Sequence, residues 1–269
     1  MKASSVLLRK YSPLAPSLFI LAEEVLSRGL SYHYAQGTIK PYQVPRGCPS
    51  ISHLLFADDT ILFTNGSKSS LASLMHFLSQ YEAASGQLIN KEKSCFLLAK
   101  KASPSRVAIV SATTGISRKN WPIQYLGAPL FTGAPKAAYF QALIEKIRKR
   151  IADWKCKNLS KRGKIVLLQA VLCSIPIYLL SVIKPPTSVL RRIESIFANF
   201  LWGATEEGHK HHWISWQSLC STLEEGGIGI SSLAEVCAAA RLKLLWMLHT
   251  KHNLWTNYFK CRYFKEASV

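Results

Sequence analysis

The residues best placed to do chemistry are Asp58 and Asp59, side by side within His53-Leu54-Leu55-Phe56-Ala57-Asp58-Asp59-Thr60-Ile61-Leu62-Phe63. Two adjacent carboxylates repel each other unless a proton or a cation lies between them, so the pair points toward a hard-cation site. Apolar, β-branched and aromatic residues flank the acids on both sides. That pattern predicts two strands meeting in a tight turn, a place aspartate tolerates because its side chain can hydrogen-bond its own backbone. An ordinary hairpin with two solvated acids is the alternative that the spacing alone leaves open.

The elements that must hold this pair belong to a chain of 269 residues, 48% of them hydrophobic and 10% aromatic, enough for one large or two small domains. A disordered chain is excluded. Lysine and arginine number 34 against 15 acids, a formal charge of +19. An excess of that size repels itself in a compact monomer, and a polyanionic partner is the economical explanation. The cations lie beside aromatics as well as along helices, which favours nucleic acid over a membrane surface; a solvated basic face is the alternative. Seven cysteines are spread along the chain with no pair at the spacing of a zinc knuckle, as suits a reducing, intracellular setting, nuclear or cytoplasmic. His209, His211, His212 and Cys220 read as a polar loop rather than a metal site. Met1 to Ala22 contains no acid, but Pro13 and Pro16 sit badly in an amphipathic targeting sequence. The apolar run at 165–183 approaches membrane-spanning length; Gln169, Ser174 and Pro176 interrupt it, so it reads as a buried helix ending at the proline.

Periodicity predicts an α+β protein. A helix over 16–30 should turn Phe19, Leu21, Val25 and Leu26 inward and end at Gly29. The hairpin over 53–63 follows an irregular Pro- and Gly-rich stretch. Next comes a helix over 69–84 burying Leu71, Leu74, Met75, Leu78 and Tyr81, with Gly86 as its cap. Strands are expected at 94–98 and 124–130. Beyond them the chain turns helical. Phe140, Leu143, Ile144, Ile147, Ile151 and Trp154 form one apolar stripe, while Lys146, Arg148, Lys149 and Arg150 fall on other faces. From Lys146 to Lys164 there are nine basic residues and one acid, Asp153. A helix with an apolar seam and a cationic back suits a row of phosphates, each of which releases counterions when neutralised. Further helices are expected over 161–174, capped by Ser160, and over 188–201 and 233–248.

The segment around Asp58 closely resembles the Phe-Ala-Asp-Asp motif of reverse transcriptases from plant non-long-terminal-repeat (LINE-type) retrotransposons. The resemblance continues in order through Ser85-Gly86-Gln87-Leu88-Ile89-Asn90 with Lys93-Ser94, and Tyr125-Leu126-Gly127-Ala128-Pro129-Leu130. Trp154, Leu159-Ser160, Gly163-Lys164, Ser174-Ile175-Pro176, Phe200-Leu201-Trp202-Gly203, Trp213-Ile214-Ser215-Trp216 and Gly226-Gly227-Ile228-Gly229-Ile230 complete it. The resemblance implies a partial palm over 1–130 with the hairpin at 53–63, a basic helical thumb over 131–206 and a helical connector over 207–269. It implies RNA-directed DNA polymerisation by two-metal phosphoryl transfer, with Asp58 a ligand of catalytic magnesium and Asp59 beside it. Two adjacent carboxylates cannot cage two magnesium ions, so a further acid is needed, and the family carries it on an upstream strand that this sequence lacks. Arg9, Lys10, Tyr11 and Ser12 align with the stretch that positions nucleotide and template. There the family's Gln, Gly and Asp are replaced by Lys10, Tyr11 and Ser12, and a phenol ring obstructs where backbone should approach.

Three readings follow. One is a polymerase remnant, inactive alone, whose hairpin edge invites foreign strand pairing. Another is a non-catalytic module that binds an RNA/DNA template–primer duplex through Lys146, Lys149, Arg150, Lys155, Lys157, Lys161, Arg162 and Lys164, with Trp202, Trp213 and Trp216 as possible stacking platforms or core residues. The third is a membrane-associated protein built on 165–183.

Overall fold

The computed structural model describes residues 13–155, 159–203 and 212–264. The chain forms two compact units, one built from the residues up to Asn120 together with those from His252 onward, the other from Trp121–Lys251.

In the first unit, α1 (Ala15–Ala35) buries Leu26 and Leu30. It runs on through Gly29, where the sequence suggested an end. The ring of Phe77 lies directly against that glycine, so a Cβ there would overlap it, and the missing side chain is a packing device rather than a stop signal. The inward stripe follows Phe19, Glu23, Leu26 and Leu30, leaving Leu21 and Val25 each 62% exposed instead of buried. The antiparallel hairpin β1 (His53–Phe56) and β2 (Asp59–Leu62) follows. Next, α2 (Lys68–Ser85) is capped by Ser67, whose side chain accepts from the Ser70 amide, and ends at Gly86. Leu71, Leu74, Leu78 and Tyr81 are buried on it, as their spacing predicts.

The helix α3 (Pro104–Thr114) has no counterpart in the sequence reading, although Ser103 caps it and Pro104 opens it. It carries Cys95–Phe96 (β3) into parallel pairing with Ser117–Arg118 (β4). Parallel strands require such a crossover connection. Helix α10, defined below, closes the unit.

The second unit opens with β5 (Ile123–Tyr125) and β6 (Ala128–Leu130), an antiparallel hairpin where the sequence suggested one strand. Leu126 and Gly127 form its two-residue turn, and the Tyr178 hydroxyl donates to the Leu126 carbonyl at 2.6 Å. A short 3-10 turn at Ala137–Phe140 leads into α4 (Gln141–Lys155), followed by α5 (Lys161–Leu167), capped by Ser160. The predicted continuous helix instead opens into a π-helical segment at Leu168–Leu172 and is broken before Pro176. It resumes as α6 (Ile177–Val182). Next come α7 (Thr187–Trp202), α8 (Trp216–Leu219) and α9 (Leu233–Thr250). The last helix, α10 (Leu254–Tyr263), returns to the first unit.

One core unites the helices of this unit: Phe140 from the 3-10 turn, Ile144 and Ile147 from α4, Leu168 and Leu172 from the π segment, Ile193 and Phe197 from α7. Its floor includes Ile230, on a loop whose Gly227 backbone presses against the Ser221 carbonyl. No helix among the described residues is long and apolar enough to cross a membrane, so the run at 165–183 offers no spanning segment.

A Cβ at Gly227 would overlap backbone that cannot rotate away, whereas one at Gly226 meets nothing and incurs only the cost of its φ of +85°. Gly227→Ala is expected to destabilise the fold by about 3 kcal/mol and Gly226→Ala by about 1 kcal/mol, read as shifts in the urea midpoint; equal shifts would contradict the assignment.

Candidate metal hairpin and basic surface

The alternation of β1 decides where the acids go. His53 and Leu55 face inward, and Leu55 with its neighbour Leu62 on β2 packs against Leu26, Leu30, Leu74 and Leu78. Phe56 pairs with Asp59, and Leu54 with Ile61, so these four share the opposite face. Phe56 is 61% exposed and Asp59 is exposed beside it. Ala57 and Asp58 form the turn, with Ala57 at φ +49°, a left-handed conformation uncommon for alanine. Asp58 and Asp59 therefore stand at an open hairpin tip in solvent, not in a buried one.

Two side chains fix the stem of this hairpin on α1. The His53 ring lies 2.9 Å from the Ser27 hydroxyl on one nitrogen and 2.9 Å from the Ser52 hydroxyl on the other. A neutral imidazole can donate to one and accept from the other, and burial pushes its pKa below the ordinary value. The Tyr34 hydroxyl donates to the Phe63 carbonyl at 2.5 Å, and burial drives its pKa up to about 12. Past the hairpin, Arg106 donates from Nη2 to the Asn65 carbonyl at 2.6 Å. Neither Tyr34 nor Arg106 was singled out in the sequence; the long-range partners that define their roles leave no local periodic trace.

Among the described residues no group of three or more His, Cys, Asp or Glu side chains could hold a metal. Asp58 and Asp59 offer an adjacent pair of carboxylates without a third acid, and on that donor set they do not fit a pair of magnesium ions. Cysteine chemistry adds nothing there. Cys173 and Cys220 lie within the helical core, where desolvation pushes their thiols up to about 12 and about 11. His212 sits within 3.1 Å of the Asn199 side chain and over the Trp202 ring, a structural contact; His209 and His211 lie outside the described residues.

The basic residues divide cleanly by face. Phe140, Leu143, Ile144, Ile147 and Ile151 are buried, while Lys146, Arg148, Lys149 and Arg150 are exposed. The Arg150 guanidinium lies 5.5 Å from the Trp154 ring centre, a cation–π contact that leaves its charge free. On α5, Lys161 and Arg162 are exposed and Lys164 is half-buried. Helices α4 and α5 both pack on α7. Among the described residues the one ion pair joins Arg28 to Glu24 at 2.7 Å on α1, so none of these cations is in direct contact with a carboxylate. Lys157, the Lys155 side chain, Arg9, Lys10, Tyr11 and Ser12 lie outside the described residues.

The tryptophans separate too. Trp202 and Trp216 pack against the core, the latter with its ring 6.0 Å from that of Phe197. Trp213 is 75% exposed, and so, at 70%, is Trp246 on α9, which the sequence reading did not single out for stacking.

Because His53 is held neutral by burial, the unfolded chain binds its proton more readily than the folded one. Stability is therefore expected to be full above the ordinary histidine pKa of about 6.5 and to fall as pH drops below it. His53→Gln should flatten that decline in chemical denaturation; an unchanged pH profile would contradict the role given to His53.

The sequence model of the family described as reverse transcriptase (RNA-dependent DNA polymerase) matches residues 8–130. The match includes the Asp58–Asp59 hairpin and runs past the boundary at Asn120 to take in the β5–β6 hairpin. A putative ribonuclease H protein of Arabidopsis thaliana is 35% identical over 125 residues, 46% of this chain and 20% of that protein. An uncharacterized mitochondrial protein of the same plant is 28% identical over 98 residues, 36% of this chain and 64% of its own. The transposon TX1 uncharacterized 149 kDa protein of Xenopus laevis is 29% identical over 191 residues, 70% of this chain but 14% of the relative. The chain thus spans less than two thirds of each of these three proteins. Residues 8–130 are thus similar to the reverse transcriptase family, and 70% of the chain is similar to a part of a transposon protein.

Proposed function

We propose that this chain is the duplex-holding part of a retroelement RNA-directed DNA polymerase, gripping an RNA/DNA template–primer by its phosphates. Residues 131–206 act as the thumb, with Lys146, Lys149, Arg150, Lys161, Arg162 and Lys164, and by sequence Lys155 and Lys157, against the backbone. Residues 1–130 form a palm that presents Asp58 and Asp59, and 207–269 form a C-terminal helical connector. The observation that carries this reading is the set of exposed cations on α4 and α5 with no carboxylate partner among the described residues. Left to itself such a surface repels; phosphates spaced along a duplex neutralise it and release counterions, without reading sequence.

Catalysis is a separate matter. In the family a divalent metal stabilises the charge that develops at the reacting phosphate, and magnesium is the ion this reading implies for Asp58 and Asp59. The carboxylates that the described residues bring together are too few for that work, and residues 1–12 contain no acid at all. On this reading the isolated chain binds substrate and does not extend it.

Both halves are testable. Fluorescence-anisotropy titrations of a labelled RNA/DNA hybrid over a salt series should give a log–log slope that becomes shallower by about 3 when Lys146, Lys149 and Arg150 are all changed to glutamate, with at least a tenfold loss of affinity. Salt-independent binding, or an equal loss from charge reversal at Lys91 and Lys93, would sink the assignment. Primer extension with magnesium or manganese should be undetectable; extension abolished by Asp58→Asn would show that the metal site is completed after all.

A further inference from the structure

Five of the cysteines among the described residues fall into two chemical groups. Cys173, Cys220 and Cys237 belong to the helical core, and burial raises all three thiols, which makes them poor nucleophiles. Cys48 and Cys261 differ. Both are only partly buried, and although 213 positions apart in sequence, they lie close enough for the Cys261 thiol to act on that of Cys48. Cys48 lies in the turn closed by its own amide donating to the Pro45 carbonyl at 3.1 Å. Cys261, on the last turns of α10, places Sγ 3.8 Å from the Arg46 carbonyl and 3.8 Å from where a Gly47 Cβ would stand. The sulfur of α10 is thus seated on the backbone of the very turn that carries the second thiol. The Cys261 thiol and burial push the Cys48 pKa up, and the Arg262 cation opposes that rise without cancelling it.

We propose that Cys48 and Cys261 are a reversible redox pair whose disulfide latches α10 to the turn leading into the Asp58 hairpin. In the reduced chain the Cys261 sulfur is held by its hydrogen bond to the Arg46 carbonyl, which is weak. The reaction needs a disulfide oxidant of the glutathione class. One cysteine thiolate attacks a sulfur of that oxidant, forming a mixed disulfide and releasing one reduced thiol. The second cysteine then gives up its proton and attacks the mixed disulfide, releasing the other. Two protein S–H bonds and the oxidant's S–S bond become one protein S–S bond and two S–H bonds on the released thiols. The linkage fastens the end of the chain ten residues upstream of Asp58, on the strand of backbone that enters β1.

The pair is testable on the full chain. After equilibration with oxidised glutathione and alkylation of free thiols, peptide mass mapping should recover a Cys48–Cys261 cross-linked peptide as the dominant disulfide. Cys95→Ser should retain it, and Cys48→Ser and Cys261→Ser should each lose it. Hydrogen exchange of the α10 amides should slow at least tenfold in the oxidised wild-type protein and recover on reduction with dithiothreitol. Persistence of both thiols in oxidant, their capture by glutathione alone, or pairing with other cysteines would overturn the proposal. Formation of the bond with no change in α10 exchange would overturn its role as a latch. The wild-type measurements stand by themselves should either serine variant fail to fold.

Discussion

The two-residue period of the β1–β2 hairpin governs what the acids can do. One face must supply Leu55 and Leu62 to the core on α1 and α2, and pleating then sends Asp59 to the other face with Phe56. A slip of one residue would bury a carboxylate and expose two leucines, an exchange unfavourable on both counts. His53 and Tyr34 lock the register at the stem, one by bridging two serine hydroxyls and the other by closing on the Phe63 carbonyl. The acids are therefore held in place by contacts several residues away from them. Their solvent exposure is a direct result of the packing that positions them.

The helical unit solves a different problem with the same logic. Its core takes every third or fourth residue of α4 and α7, and on the outside of α4 Lys146, Arg148, Lys149 and Arg150 outnumber the two exposed acids, Glu145 and Asp153. Glu194 shows how the unit uses its few acids. Its carboxylate accepts from the Leu233 amide at 3.1 Å at the start of α9, with burial raising its pKa, and so it serves helix capping rather than charge neutralisation. With Glu194 used in this way, the two exposed acids of α4 offset only half of its four exposed cations. The proposed hold on a nucleic-acid backbone follows from that distribution.

Much of this was legible in the sequence where the signal is local. The hairpin that carries Asp58 and Asp59, the Ser160 cap, the seam of α4 and the inward face of α2 all follow from spacing and residue type. The misreadings came where tertiary contact overrides local preference. Gly29 looks like a helix stop until Phe77 is seen against it. Residues 124–130 look like one strand because a Leu126–Gly127 turn carries only one residue with obvious turn character. Helix α3 is short and weakly amphipathic, and the parallel pairing it enables has no short-range signature at all. For the candidate site, the types and positions of the acids were readable, but their exposure was not, because it depends on which face α1 covers.

The central claim is that the cations of α4 and α5, rather than those of the C-terminal helices, hold the duplex. Lysine-directed cross-linking of the chain to an RNA/DNA hybrid, followed by peptide mapping, tests it most directly. The account predicts cross-links concentrated at Lys146, Lys149, Lys161 and Lys164. Cross-links concentrated instead at Lys243, Lys251 and Lys260 would contradict it.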